Sequence, residues 1–359
     1  MLTSIDNTRR LSAAAIRSFM ADAFGACGLP AADAAIVAGA MLDADLSGSD
    51  AHGVFRLPGY VRNLKRGNFN PRAEIRVVER GPATALVDGD NGMGHLVMTF
   101  AANLAVEIAR EAGVAWVGAR RSNHAGAGST YAAIPLEYGM IGIYSAVSGS
   151  NFMAPWGGAE PLLGTNPIAV AIPAGEEAPV VLDIATSVAS NGAIRAYAAE
   201  GRPLPEGWVI GRADGKPITD GRRISEGMYV PIGEYKGSGL ALVLGLLGGP
   251  LNRATFGRDI KDVNDEQVRE VNAGQFVIAL DVARFVPLAA FTAEVDRHVR
   301  DLGSSKRLPG VEEIRIPGQG RLARRSDRQQ NGVPLAPTLV KHLDDLAKSL
   351  AIEPLTARA

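Results

Sequence analysis

The feature that most narrows the fold is an alternation of short apolar runs with longer helical stretches along residues 84–147. Thr84–Asp88, Val114–Ala119 and Met140–Val147 read as β-strands, and His95–Glu111 and Ser129–Tyr138 between them carry helical spacing. Strand–helix–strand–helix–strand is the pattern of an α/β fold, in which helices cover the faces of a sheet. Another short β-like run, Glu74–Val78, precedes the first across Gly81-Pro82.

Helices flank this block. Leu11–Cys27 has helical apolar spacing and stops at Gly28, and Pro30 opens a second helix, Ala31–Leu46. A third is expected from about Arg56 to Gly67. Beyond residue 147, the stretch Ser148–Pro167 is a long loop rich in Gly, Pro and Asn, and loops that long inside a domain are usually functional. Strands Ile168–Ile172 and Val180–Asp183 follow, then a segment broken by glycine and proline, Gly201–Gly233, with a short strand at Trp208. Ser238–Leu247 is apolar on every side, which predicts a helix inside a core. The polar stretch Asn252–Asn272 is expected at a surface, before strand Gln275–Val282 and helices Leu288–Leu302 and Thr338–Leu350.

Composition removes several function classes. At about 150 residues per domain, 359 residues predict two domains. With 37 basic and 38 acidic residues the net charge is −1, without the basic excess of a nucleic-acid or anionic-membrane binder. A single cysteine, Cys27, excludes a disulfide framework and a cysteine-based metal centre. Residues 1–10 lack an apolar run and no uncharged apolar stretch reaches about 18 residues, which predicts no secretory signal, no membrane span and a cytoplasmic protein.

Common catalytic signatures are missing. The dinucleotide fingerprint G-x-G-x-x-G is absent, and the nearest stretch, Gly126-Ala127-Gly128, ends on Tyr131 where the third glycine belongs. The P-loop, the nucleophile elbow G-x-S-x-G and H-E-x-x-H are absent as well. The five histidines (52, 95, 124, 298 and 342) show no metal-ligand spacing, so no metal is expected. A metal-dependent hydrolase using Asp45, Asp50 and His52 would rest on a thin ligand cluster.

Other residues invite chemistry. His52 sits in the turn Asp50-Ala51-His52-Gly53 with Arg56 four residues on, and on a helix starting near 53 the two share a side. An imidazole beside a guanidinium suits a small carboxylate substrate that must be clamped and protonated. The alternative is a helix-capping histidine and a solvated arginine. His124, in Ser122-Asn123-His124-Ala125-Gly126, follows a strand at the end where α/β sheets bind ligands; it can also be an ordinary turn residue. Thr165, Asn166 and Asp183 suit a ribose or an amide, and equally suit turns. Lys236-Gly237-Ser238-Gly239, ahead of a helix, offers an ammonium and free N–H groups to a phosphate, though such a start alone is weak.

Taken together, these segments resemble the malate/L-lactate dehydrogenase family. The resemblance runs from the first helix to Pro317-Gly318. It is carried by His52-Gly53-Val54 with Arg56, Leu57 and Tyr60, then Asn123-His124-Ala125-Gly126 and Pro155-Trp156-Gly157-Gly158. Gly164-Thr165-Asn166-Pro167, Leu182-Asp183-Ile184-Ala185-Thr186-Ser187, Gly207-Trp208 and Lys236-Gly237-Ser238-Gly239-Leu240 complete it. The resemblance implies a non-Rossmann α/β fold with a mixed sheet, flanking helices and discontinuous domains, 1–78 with 232–359 around a cofactor-binding 79–231. It implies hydride transfer between NAD(P)H and C2 of a small 2-oxo acid or cyclic 2-imino acid, in a homodimer. By matching position, His52 and His124 become the two active-site histidines, either of which can be the proton-transferring group, and Arg56 the carboxylate contact. Ser148, Thr165, Asn166, Asp183, Ile184, Ala185, Lys236 and Gly237 become cofactor-lining positions for NAD or NADP.

The sequence also departs from the family. Ala51 stands where serine is usual, Ala193 where lysine follows glycine, Gly211 where aspartate is usual, and Gln319 where Pro-Gly-Glu is common. These losses raise a second reading, a member that binds cofactor or substrate without efficient turnover. Both histidines, Arg56 and Lys236 remain, which favours an active reductase.

Overall fold

The computed structural model describes residues 8–261 and 268–358. Strand β1 (Arg9–Leu11) leads into α1 (Ala13–Ala26), whose cap Ser12 accepts the Ala15 N–H through its hydroxyl at 3.1 Å. Helix α2 (Ala31–Ser47) ends on Gly48 in the left-handed conformation. Two 3-10 turns, Asp50–His52 and Val54–Arg56, then precede α3 (Leu57–Lys65). The expected single helix from Arg56 is therefore shorter, and a tight double turn carries the two candidate residues.

The α/β block comprises β2 (Arg76–Arg80), β3 (Thr84–Asp88), α4 (Gly94–Ala112), β4 (Val114–Ser122), α5 (Gly128–Ala132) and β5 (Met140–Ala146). The helix expected over Ser129–Tyr138 splits, with Ile134–Tyr138 a 3-10 turn, because Pro135 has no N–H to continue the α-helical ladder. Next come β6 (Ile168–Ile172), β7 (Val180–Ile184), α6 (Asn191–Ala199), β8 (Val209–Gly211), β9 (Gly227–Tyr229) and α7 (Tyr235–Gly248). The chain closes with β10 (Ala273–Asp281), α8 (Leu288–Gly303), α9 (Gln319–Asn331), β11 (Val333–Leu335) and α10 (Pro337–Leu350). Part of the polar stretch Asn252–Asn272, residues 262–267, lies outside the described residues.

Seven strands form one mixed sheet in the order β2-β3-β4-β10-β5-β6-β7. Only β3 and β4 pair in parallel, joined by α4; the other neighbours are antiparallel. The centre is β10, which crosses the boundary expected between residues 231 and 232. The registers place Asp88, Ser122, Ala146, Ile168, Ile184 and Ala273 at one end of the sheet. Every strand-borne candidate site segment leaves from that end.

Three apolar clusters hold the molecule. The first packs α1, α2 and α3 against Val333, Leu335, Val340 and Leu343 from the C-terminal segment, with Phe19, Phe24 and Met41 fully buried. The β1–β11 ladder ties the same distant segments. The second lies between the sheet and α4, and the third gathers residues 153–241. Each fully buried large side chain contributes roughly 1.5–3 kcal/mol. Helix α7 departs from expectation: Ala241 and Leu244 are buried, but Leu242, Val243 and Leu246 are 44%, 52% and 45% exposed. It is apolar all round without being enclosed by its own chain.

Candidate active site

The double turn after α2 is set by one acid. Asp45, buried on the last turn of α2, accepts the Val54 N–H at 2.9 Å. A Cβ at residue 53 would stand 1.7 Å from the Asp45 carboxylate, so only glycine lets the backbone come this close. His52 ends the first 3-10 turn and Arg56 the second. Arg56 donates its Nε to the Ala51 carbonyl at 3.0 Å, and among the described residues it has no carboxylate partner.

His124 reaches the same place from the end of β4. Its ring stacks on His52 with centroids 5.5 Å apart and planes 20° from parallel. Behind it, Tyr60 on α3 places its hydroxyl 2.5 Å from His124 Nδ1, and the Gly126 N–H lies 3.3 Å from the same nitrogen. His95, at the start of α4, lies edge-on to Tyr60 at 5.2 Å. The preceding residue, Asn123, is anchored by donating Nδ2 to Asn91 and to the Gly92 carbonyl at 2.9 Å. Gln275 at the start of β10 donates to the Asn123 carbonyl at 2.9 Å, so the central strand supports the His124 loop.

All three imidazoles are held neutral. Burial pushes His52 down to about 4; the Arg56 guanidinium adds to this and Asp183 opposes it. His95 is pushed down to about 3 by burial and then by His52. Burial, Arg56 and the two other rings hold His124 well below the usual histidine range. Tyr60 is raised by burial, which keeps its hydroxyl protonated. His52 Nδ1 and both His95 ring nitrogens are buried without a protein partner. The site combines uncharged bases with one unpaired cation.

The remaining candidates form a connected rim. Asn166 accepts the Ser148 N–H at 3.0 Å and donates to the Ala241 carbonyl at 2.8 Å, so its amide braces the long loop against α7. The Thr165 carbonyl accepts the Thr186 N–H at 3.0 Å, and the Thr186 carbonyl accepts the Ile232 N–H at 2.9 Å. Asp183 accepts the Ser129 N–H at 2.9 Å at the start of α5. Ile184 is partly open, and Ala185 joins it to the buried Thr186. Lys236 is exposed, with no acidic partner among the described residues. One expectation is corrected here. The N–H groups of Lys236, Gly237 and Ser238 bond the carbonyls of Gly233, Ile232 and Glu234, so they are not free for a phosphate.

The metal-hydrolase reading loses its ligands. Asp45 is committed to Val54, Asp50 pairs with Arg328, and no described group of three acids, histidines or cysteines is placed to hold a metal. Tyr60 has a place in the resemblance but no chemical role there, and His95 has neither, because only the folded α3 and α4 bring them beside His124.

A family model described as malate/L-lactate dehydrogenase matches residues 11–344. The chain belongs to that family. It is an oxidoreductase of the family's dehydrogenase type, with the mixed-sheet fold of its solved members. It is 35% identical to a malate dehydrogenase of Pyrococcus horikoshii over 94% of both chains. The malate dehydrogenase of Entamoeba histolytica superposes with a TM-score of 0.93 at 28% identity, over 97% of this chain and 99% of that one. A Δ1-piperideine-2-carboxylate reductase of Pseudomonas syringae superposes with a TM-score of 0.84 at 30% identity, over 95% of this chain and all of that one. Relatives named for each nicotinamide cofactor also match. An NAD(+) ureidoglycolate dehydrogenase of Escherichia coli K12 is 29% identical over 88% of this chain and 89% of its own. An NADP(+) (2R)-3-sulfolactate dehydrogenase of Chromohalobacter salexigens is 30% identical over 90% of this chain and 94% of its own.

Proposed function

We propose that this protein transfers a hydride between NAD or NADP and C2 of a small 2-hydroxy or 2-oxo acid, or a cyclic 2-imino acid, at the His52–His124–Arg56 cleft. The observation that carries this reading is the pairing of two stacked neutral imidazoles with a guanidinium that has no acidic partner among the described residues. Oxidising an alcohol requires a base for the hydroxyl proton, and a neutral imidazole is that base. Arg56 clamps the substrate carboxylate and fixes C2.

Substrate binding also prepares the reverse direction. A bound carboxylate cancels the Arg56 charge, a cause that depresses both His52 and His124. Their basicity then rises against the larger effect of burial, which favours protonation of an imidazole that can serve the oxygen or nitrogen formed during reduction. Tyr60 holds His124 through Nδ1, which makes Nε2 the nitrogen for proton transfer.

The rim residues fit a nicotinamide cofactor, which supplies or takes the hydride when bound. Lys236 offers an exposed ammonium for phosphate, Asp183 and Thr165 offer ribose or amide contacts, and Trp156 and Ile184 are 53% and 37% exposed apolar surfaces. Ser148, Asn166, Ala185 and Gly237 shape that rim. The exposed apolar side of α7 supports a homodimer as its cover. The lone Cys27 supports a cytoplasmic setting, and no described helix is long and apolar enough to cross a membrane.

One departure from the family lies at a close approach. A Cβ on Gly192 would lie 2.6 Å from the Ala51 Cβ, so the start of α6 packs on the histidine turn beside Ala51. That apolar contact favours, as a second reading, a member with weakened turnover. Gly211 differs: a Cβ there would lie 2.6 Å from the Asp214 carboxylate, which takes the space. The deciding experiment follows NADH and NADPH oxidation with pyruvate, oxaloacetate and piperideine-2-carboxylate. Oxidation with any of them supports the reductase; cofactor binding without oxidation across a broad acid panel supports the second reading.

A further inference from the structure

Asp45 is a buried acid that the proton and hydride chemistry leaves unused. Its side chain is 1% exposed, and its carboxylate packs against the backbone of Gly53 while accepting the Val54 N–H at 2.9 Å. That N–H belongs to the junction of the two 3-10 turns, one ending on His52 and the other on Arg56. A shift of this junction moves the base and the carboxylate clamp together. We propose that Asp45 is a positioning residue for the reaction, holding the His52–Arg56 turn so that substrate capture is tighter when its carboxyl is ionised. The proposal rests on the reading of that turn as the substrate site.

The charged groups around Asp45 come from two directions. Asp50, on the first 3-10 turn, repels its charge. Arg328, on α9, attracts it and donates both to the Asp45 carbonyl and to the Asp50 carboxylate. The neighbouring Asp43 is neutralised by Arg325. Burial dominates and lifts Asp45 to about 7, with Asp50 adding to the rise and the Val54 bond and Arg328 opposing it. His52, His95 and His124 are all depressed far from neutrality. Within the site, Asp45 is therefore the group expected to ionise near neutral pH, where a histidine would be the usual assignment.

A carboxylate holds an N–H more strongly than a neutral carboxyl or amide does, and the difference corresponds to roughly fivefold in binding. The test measures KM and kcat/KM for the acid substrate at saturating cofactor, from about pH 5 to 9, in the wild type, Asp45→Asn and Asp50→Asn. Thermal unfolding is followed in parallel. In the wild type KM falls roughly fivefold as pH rises through about 7. Asp45→Asn retains its fold but keeps the acid-plateau KM at every pH. Asp50→Asn moves the same limb to lower pH, because it removes a neighbouring negative charge.

A folded Asp45→Asn protein that retains the limb, or matches wild-type KM at the alkaline end, overturns the proposal. Should Asp45→Asn not fold, an unmoved limb in Asp50→Asn overturns it. If His52→Ala and Arg56→Lys also leave turnover and KM unchanged, the site reading fails. If those variants are impaired and Asp45→Asn is silent, only the role of Asp45 falls.

Discussion

On one side of the α2 C-terminus, α9 sets four arginines against acids, carbonyls and hydroxyls. Arg321 donates to Ser129 at 2.7 Å, Arg324 to the Ser47 carbonyl at 3.2 Å, Arg325 pairs with Asp43, and Arg328 with Asp50 and the Asp45 carbonyl. On the other side lie His52, His95, His124 and Arg56, with His52 Nδ1 and both His95 nitrogens lacking protein partners and a guanidinium lacking a carboxylate among the described residues. The first surface satisfies its charges and so fixes geometry. The second withholds charge partners, which leaves it able to respond to an anionic ligand. Asp45 lies between them, touching α9 through its carbonyl and the histidine turn through its carboxylate.

The contrast breaks if the two sides respond alike to substitution. The largest effect is expected on the histidine side, where His124→Ala or His52→Ala should lower kcat by about 10²–10⁴-fold. The same variants should unfold within a few degrees of the wild type, as read by absorbance kinetics and calorimetry. Arg328→Met should do the reverse. It strips a buried donor from the Asp45 carbonyl and Asp50, costing on the order of 1–3 kcal/mol, and should lower Tm well before it lowers kcat.

Smaller effects sharpen the picture. Arg56→Lys replaces a planar fork by a point charge and should raise KM about tenfold with kcat little changed; steady-state kinetics with a monocarboxylate substrate reads it. Tyr60→Phe removes the 2.5 Å bond to His124 Nδ1 and should lower kcat roughly two- to tenfold. The smallest signal concerns stability against pH. Asp45 binds its proton more tightly folded than unfolded, with a folded value of about 7 above its ordinary 3.8. Its contribution is complete below the unfolded value and is lost as pH rises toward 7. Asp45→Asn should therefore melt no lower than the wild type above pH 7, and a lower Tm there would contradict the burial cause.

Much of this was legible in the sequence, for physical reasons that differ by element. Strands β3, β4 and β5 and helix α4 announce themselves because their buried faces are apolar and periodic. Helix α9 stayed hidden because its packed face is made of Arg321, Arg324, Arg325 and Arg328, at i, i+3, i+4 and i+7, which apolar periodicity does not register. Counting arginines at that spacing is the signal that finds it. Helix α7 was misread as enclosed, since apolarity does not say whether the cover is the same chain. His52 and Arg56 came from local spacing, whereas Tyr60 and His95 join His124 only through tertiary packing. The central place of β10 was equally out of reach, because it pairs with β4 across more than 150 residues of chain.

The most direct measurement of the central claim is cofactor oxidation by His124→Ala and wild type at matched cofactor saturation. The account predicts that the wild type oxidises NADH or NADPH with a 2-oxo or cyclic 2-imino acid. The variant should still quench cofactor fluorescence with an unchanged Kd and lose at least about a hundredfold in kcat. Near-wild-type turnover in both His124→Ala and His52→Ala would contradict it.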